Sequence, residues 1–220
     1  MKNIPIRSIE DYVKMVTSTE GRRRMFRGHT SKSYDLVPTV GRCEKFVKLP
    51  LKDLIVQERY MLNRFKRLGA SLLPTSLTDW ELLFMARHHS LPVRVLDWST
   101  NPMIALFFAV RSRDKETAVV FSEKQLSVLN LKKSADPFTV KKEARINPPH
   151  LMERLISQSS TFTIYPDPRV VYRSPSLIRY TISPNLKGVI YVQLHQMGIH
   201  EGSVLGGLDG IAMQIGSFYE

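Results

Sequence analysis

The stretch RHHSLPVRVLDWSTNPMIALFFAV, residues 87–110, limits the possible folds more than any other part of the chain. VRVLDW is apolar and predicts a strand, and MIALFFAV predicts a helix. Between them, Ser99, Thr100 and Asn101 can each cap a helix N-terminus, and Pro102 suits the first helical turn. The apolar run is too short to span a bilayer. We therefore expect a strand that leads directly into a helix of a folded domain.

Helical and strand-like patterns are interspersed along the rest of the chain. Apolar residues recur with helical periodicity over residues 51–68. Helices are also predicted in IRSIEDYVKMVTS, in TDWELLFMARHH with Thr78 or Asp79 as its cap, in LKGVIYVQLHQMGI and in LDGIAMQI. Strands are predicted at 25–27, ending at Gly28, and in TAVVFSE, STFTIYP and RYTISP. No repeat or linker divides the sequence, so we expect one mixed domain of helices and strands.

Length and cysteine content narrow the class of protein. A chain of 220 residues can bury the core of a single domain. Its one cysteine, Cys43, excludes an internal disulfide framework and cysteine-rich zinc sites. The N-terminus carries no secretory signal, which predicts a cytoplasmic protein without a membrane partner.

The charge of the chain is unusual. Thirty-two Lys and Arg against 20 Asp and Glu give a net charge of +12, which attracts polyanions such as nucleic acid, an anionic cofactor or an acidic protein. Arg87, the arginines at 22–24 and the lysine pairs at 132–133 and 141–142 are candidates for a nucleic-acid surface. They are scattered, and ordinary solvated charge is the alternative interpretation of each.

The adjacent histidines His88 and His89 do not form a metal site on their own. Neighbouring residues of a helix point about 100° apart, so at most one of the two faces a given site. No further ligand stands at metal-binding spacing, and no metal is predicted.

Asp97 and Arg27 are the sharper candidates. Asp97 lies near the end of an apolar strand, where α/β proteins commonly place ligands, but it could equally pair with Arg94 or another arginine. Arg27 precedes Gly28, which could let a phosphate approach the backbone while the guanidinium binds it in a bidentate manner. A surface salt bridge is the alternative for Arg27.

Several segments of the chain together resemble the FRG domain family, which is named after a Phe-Arg-Gly triplet found here at 26–28. The resemblance extends from about residue 20 to 216 and so implies a single FRG domain over 1–220. It rests on FRGH, SYDLVPTVGR, HHSLPVRVLDWSTNPMIALFFA, RLISQSSTFTI and LDGIAMQI. The chain departs from the family pattern at Arg87, Ser90 and Val93 and at 205–207.

The order of these features also resembles the ADP-ribosyltransferase fold of cholera-like toxins. Those enzymes carry an Arg-Gly strand, a strand that ends in Ser-Thr-Ser before a helix, and a later strand with a catalytic glutamate. MFRG, LDWSTNPMIALFFA and MERLISQSSTFTI stand in the same order here, and Glu153 is the candidate glutamate. The resemblance implies an α+β fold with a split β-sheet core and surrounding helices, and NAD as the substrate.

Site roles follow from this resemblance. Arg27, with Gly28 and His29 in the same binding site, would anchor the NAD phosphates or position the nicotinamide ribose, and Ser99 and Thr100 would hold the ribose. Glu153 or Asp97 would stabilise the positive charge that develops on the ribose as nicotinamide leaves. His89 or Gln158 would orient that carboxylate or the acceptor.

The resemblance implies an NAD-dependent ADP-ribosyltransferase-like toxin or defence effector. RNA, DNA or a protein would be the acceptor, and an antitoxin or chaperone would hold the toxin in check. The positive net charge favours a nucleic acid. Two alternatives stay open: a nucleotide- or nucleic-acid-binding module without turnover, and a hydrolase such as an NAD glycohydrolase.

Overall fold

The protein is a mixed α/β structure built on one seven-stranded sheet. A computed structural model describes residues 1–18, 23–112, 114–149 and 152–219. The strands are β1 (Lys2–Ile6), β2 (Arg24–His29), β3 (Val95–Ser99), β4 (Ala118–Lys124), β5 (Ala144–Ile146), β6 (Ser160–Ile164) and β7 (Ile178–Ile182). The helices are α1 (Ile9–Thr17), α2 (Glu44–Val47), α3 (Leu51–Leu68), α4 (Asp79–His88), α5 (Pro102–Val110), α6 (Glu153–Ser157), α7 (Pro184–Gln196), α8 (Glu201–Leu205) and α9 (Gly207–Gly216).

The strand order is β1-β7-β4-β2-β3-β6-β5, antiparallel throughout except for the parallel pair β1–β7. β2 pairs with β4 along its whole length, and β3 does the same with β6. β2 and β3, in contrast, pair at one position, Phe26 with Ser99. We call this narrow junction the seam. The strands form one sheet and not two separate ones, and the sheet is weakest at the seam.

Three hydrophobic clusters fill the space between the sheet and its helices. The first joins α1, α5, α7 and α8 to β1, β2, β4 and β7. The second joins α3, α4 and α6 to β3, β5 and β6. The third includes Met25 of β2 and both Leu96 and Trp98 of β3, so it spans the seam.

Three of the described helices, α1, α4 and α5, begin at residues whose side chains cap them. The Ser8 side chain accepts from the Asp11 amide at the start of α1, and Thr78 forms a capping box with Glu81 at the start of α4. At α5 the cap is Asn101, whose side chain accepts from the Met103 amide. The helix predicted at 51–68 is confirmed as α3.

The expected end of β2 at Gly28 is wrong, because the strand continues through Gly28 to His29. α5 packs against β2 so closely that a Cβ at Gly28 would lie 1.9 Å from the Ala105 carbonyl oxygen. Gly28 is therefore required for the contact between helix and strand, and it also lines the cavity described below. None of the helices in the described ranges is long and apolar enough to span a membrane.

Candidate functional site

A cavity of about 340 Å³ lies beside the seam, which is a volume typical of small-ligand sites. Its walls come from β2, β3, α4, α5, α6 and β6. Four arginines and two histidines line it, with one carboxylate among the described residues: Arg27, Arg87, Arg111, Arg154, His29, His88 and Asp97.

Among the charged residues that line the cavity, Asp97 forms ion pairs with two arginines. The Arg27 Nη1 donates to the Asp97 carbonyl oxygen at 2.6 Å and lies 3.4 Å from its Oδ2. Arg87, from the last turn of α4, donates from Nε to both carboxylate oxygens at 2.9 and 3.1 Å and from Nη2 to Oδ2. Asp97 therefore pairs with arginines, which is one of the alternatives that the sequence left open. Its partners are Arg27 and Arg87 and not Arg94, which pairs with Glu58.

Burial alone would raise the pKa of Asp97, but the guanidinium groups of Arg87 and Arg27 outweigh burial and lower this pKa below its ordinary value. The same contact with Asp97 raises the pKa of Arg87. Asp97 is therefore a carboxylate at neutral pH, and its charge is balanced within the protein.

His29 fixes the other side of the Arg27 guanidinium. The Arg27 Nε donates to the His29 Nε2 at 2.8 Å, while the His29 Nδ1 lies 3.2 Å from the Tyr34 carbonyl oxygen. A carbonyl can only accept, so Nδ1 carries the proton and the imidazole is neutral. Burial and the Arg27 charge lower the pKa of His29 to about 3. Both ring nitrogens are used within the protein, so His29 positions Arg27.

Arg111 and Arg154 give the cavity its surplus of positive charge. Neither has an ion-pair partner in the part of the chain that the structure describes. Burial lowers the pKa of Arg154; the Asp97 charge opposes this, whereas Arg111 and Arg87 add to it. These charges are close enough to act on one another, and an anion in the cavity would relieve their repulsion.

The hydroxyls of the predicted ribose-binding residues are engaged within the protein. Ser99 Oγ donates to the Gln158 carbonyl oxygen at 2.7 Å and accepts from the Asn101 amide at 2.9 Å. Thr100 Oγ1 donates to the Ser159 carbonyl oxygen at 3.3 Å, and this exposed residue does not line the cavity. The Gln158 side chain does line it, and its Nε2 donates to the Val204 carbonyl oxygen at 3.1 Å.

His89 does not line the cavity; His88 takes the position expected for it. His89 is exposed at the end of α4, with its ring 6.3 Å from that of Phe65. His88 faces the cavity, where burial, Arg154 and His89 lower its pKa. The two rings are in edge contact, with their centroids 4.7 Å apart, but only His88 reaches the cavity.

Glu153 is not on a strand and does not line the cavity. It is the exposed first residue of α6, and its neighbour Arg154 is the residue that reaches the cavity. A carboxylate role in the cavity therefore falls to Asp97 and not to Glu153. In the described part of the chain, no group of three or more His, Cys, Asp or Glu side chains is placed to hold a metal ion.

Two of the arginines predicted as part of a nucleic-acid surface, Arg24 and Arg87, are not exposed, whereas Arg23 is. Arg87 is in the cavity, and Arg24 is buried, donating to the Ser122 hydroxyl and the Ser176 carbonyl oxygen at 2.7 Å each. The lysine pairs at 132–133 and 141–142 are exposed, and Arg22 lies outside the described residues. Arg24 and Arg87 are therefore not parts of an exposed basic surface.

One comparison with known proteins supports the resemblance to the FRG domain family. The FRG domain model matches residues 22–118, a segment that carries Arg27, Arg87 and Asp97 together with β2, β3 and α5. Arg154, on α6, lies beyond this match. No curated protein and no solved structure matches the chain. Over residues 22–118, the chain therefore matches the FRG domain family.

Proposed function

We propose that the cavity binds NAD and that the protein is an NAD-dependent ADP-ribosyltransferase, acting as a toxin or defence effector. The observation that carries this proposal is the lining of the cavity, four arginines around one carboxylate. NAD combines a pyrophosphate, which arginines bind, with a ribose whose reaction develops positive charge. An antitoxin or chaperone that holds the toxin in check is part of the same proposal.

Each charged group has a role in this proposal. Arg154 and Arg111, which have no ion-pair partner among the described residues, contact the pyrophosphate. The bond between the ribose C1′ and the nicotinamide nitrogen breaks, and its electron pair leaves with nicotinamide. Asp97 stabilises the positive charge left on the ribose, and an acceptor then attacks C1′. Arg27 and Arg87 hold Asp97 in place.

A second candidate function is a nucleotide-binding module without turnover. The guanidinium groups of Arg27 and Arg87 already neutralise Asp97, and the cavity has no other carboxylate among its described residues. This favours a site that binds phosphates tightly and holds no carboxylate free for chemistry.

Calorimetry with NAD tests the binding step. Arg154→Gln removes a cavity cation without breaking any ion pair of the described residues, and we expect it to weaken NAD binding about tenfold. The matched control is Arg64→Gln, on the exposed face of α3 and away from the cavity, which should leave NAD binding unchanged. Equal affinities in the wild type and Arg154→Gln would contradict the site, and no binding of NAD to the wild type would overturn the proposal.

Incubation with labelled NAD in the presence of RNA, DNA and lysate protein tests the reaction. A transferase moves label to a macromolecule, and Asp97→Asn should abolish this transfer. Release of nicotinamide without transfer identifies a glycohydrolase. Binding of NAD without consumption identifies the binding module.

A further inference from the structure

A second cavity, of about 750 Å³, lies next to the first between the loop that follows β2 and the segment that precedes β7. Lys32, Arg173 and Arg179 supply positive charge to its walls, and Asp35 is the one acidic side chain among the described residues that line it. The remaining lining includes the aromatic rings of Tyr34, Phe121 and Tyr172. The cavity thus combines cations with aromatic surface.

Tyr34 connects the two cavities, because it alone among the described residues lines both. Its carbonyl oxygen is held by the His29 Nδ1, and its ring makes an edge contact with the His29 ring at 6.2 Å. The Tyr34 residue nevertheless stays 52% exposed. A ring that is anchored through its backbone and open on the surface is suited to stacking against a flat partner.

The cations of this second cavity differ in how they are held. Arg179 donates from Nη2 to the Lys32 carbonyl oxygen at 2.9 Å and lies over the Phe121 ring. Its Nε is buried and has no hydrogen-bond partner in the described residues. Lys32 and Arg173 are exposed. The site therefore has one fixed cation near its floor and two exposed ones at its rim.

We propose that this second cavity, together with Tyr34, binds single-stranded nucleic acid. A base stacks on the Tyr34 ring while Lys32 and Arg173 contact neighbouring phosphates, the arrangement by which proteins hold single strands without reading their sequence. Cations alone would also bind an acidic peptide, but a peptide gives no reason for an open aromatic ring between them. The net charge of +12 favours the same partner.

This inference deepens the proposed function and rests on it for the identity of the strand as the acceptor. A strand bound on Tyr34 extends from the second cavity into the first, where NAD is proposed to bind. The nucleotide that enters the first cavity is then the one modified. Loss of the second site should abolish transfer to nucleic acid while NAD binding persists.

Fluorescence anisotropy with a labelled single-stranded oligonucleotide of about 12 nucleotides tests the proposal. Arg173→Glu and Tyr34→Ala should each weaken binding roughly tenfold, and Arg173→Glu should reduce the slope of log K against log salt by about 0.7 per lost phosphate contact. Lys132→Glu makes the same charge change on an exposed residue outside both cavities, and Tyr34→Phe keeps the ring; both controls should bind nearly as the wild type does.

Calorimetry with NAD on the Arg173→Glu variant separates this inference from the proposed function. Unchanged NAD affinity with weak oligonucleotide binding supports both. If the wild type binds NAD but no oligonucleotide, the inference fails and the proposed function stands. If it binds the oligonucleotide but not NAD, the proposed function fails and binding of a single strand at the second cavity stands. Equal losses in Arg173→Glu and Lys132→Glu would show that only overall charge matters. Transfer of label to protein that Tyr34→Ala leaves unchanged would make a protein the acceptor, which overturns the inference.

Discussion

At the scale of single residues, the cavity shows how a partly buried arginine is kept in one orientation. Arg27 donates from Nε to His29 and from Nη1 to Asp97, so acceptors meet both ends of its guanidinium. The arrangement depends on a neutral imidazole, because a protonated His29 would have no lone pair for Arg27 and would repel it. The protonation state of His29 thus controls the charged wall of the cavity.

His29→Gln should therefore remove part of the pH dependence of folding. Burial and Arg27 lower the pKa of His29 from 6.5 to about 3, so below pH 6.5 the unfolded chain binds a proton that the native state does not. The native state loses stability as the pH falls through this window, by about 2 kcal/mol at pH 5 relative to neutral pH. A glutamine amide can accept from Arg27 and donate to the Tyr34 carbonyl without titrating.

Urea unfolding at about pH 7.5 and pH 5 measures this effect. The fall in unfolding free energy between the two pH values should be smaller in His29→Gln than in the wild type by most of those ~2 kcal/mol. A fall of equal size in both proteins would show that His29 is not kept neutral.

Part of this site could be predicted from the sequence, and individual residues show why the rest could not. Arg27 and Asp97 lie on strands whose residues could be placed, and the structure brings them together. His89 and Glu153 lie outside the cavity, whereas the adjacent His88 and Arg154 line it, since the direction of a helical side chain depends on where the helix packs. Arg154 carried no signal at all, because its role comes from the approach of α6 to the seam.

At the scale of secondary structure elements, the close contact of α5 with β2 positions Arg27. Helices with strong caps could be predicted from the sequence, as α4 and α5 show. The edge strands β1 and β5 were missed, because short strands gain their stability from partners that are distant in the chain. The need for glycine at position 28 could not be predicted from the sequence either, because it depends on how closely α5 packs against β2.

Gly28→Ala should destabilise this contact strongly. The added methyl group would lie 1.9 Å from the Ala105 carbonyl oxygen and 2.6 Å from the Ala109 amide nitrogen, both of them backbone atoms of α5. We expect a loss of about 3 kcal/mol or more in unfolding free energy. Gly188→Ala, on the exposed side of α7 with no atom beyond its neighbours and its own helix backbone within 4 Å of the new Cβ, is the matched control and should gain about 0.5–1 kcal/mol. Thermal unfolding of both variants checks the prediction, and a stable Gly28→Ala would contradict the close packing.

At the scale of the whole molecule, the seam joins two parts of one sheet. β1, β7, β4 and β2 lie on one side of it, and β3, β6 and β5 on the other. Among the described residues, only Phe26 and Ser99 pair across it. The Arg27 side chain makes a further link there by donating to the Asp97 carbonyl oxygen. The proposed ligand would therefore bind where the sheet has the fewest backbone hydrogen bonds of its own. Strand order and this gap arise from long-range pairing, which no local pattern in the sequence encodes.

Arg27→Met should weaken the seam while leaving each half of the sheet folded. The change keeps an apolar stem of similar length but leaves the Asp97 carbonyl oxygen without the Arg27 donor, which should lower the unfolding free energy by about 2–3 kcal/mol. Native-state hydrogen exchange should become faster in β3 and β6, whereas the parallel pair β1–β7 should keep its protection. Arg64→Met, on the exposed face of α3, should change neither quantity. Uniformly faster exchange in all strands of Arg27→Met would mean that the sheet opens as one unit, and the seam would then have no independent role in ligand binding.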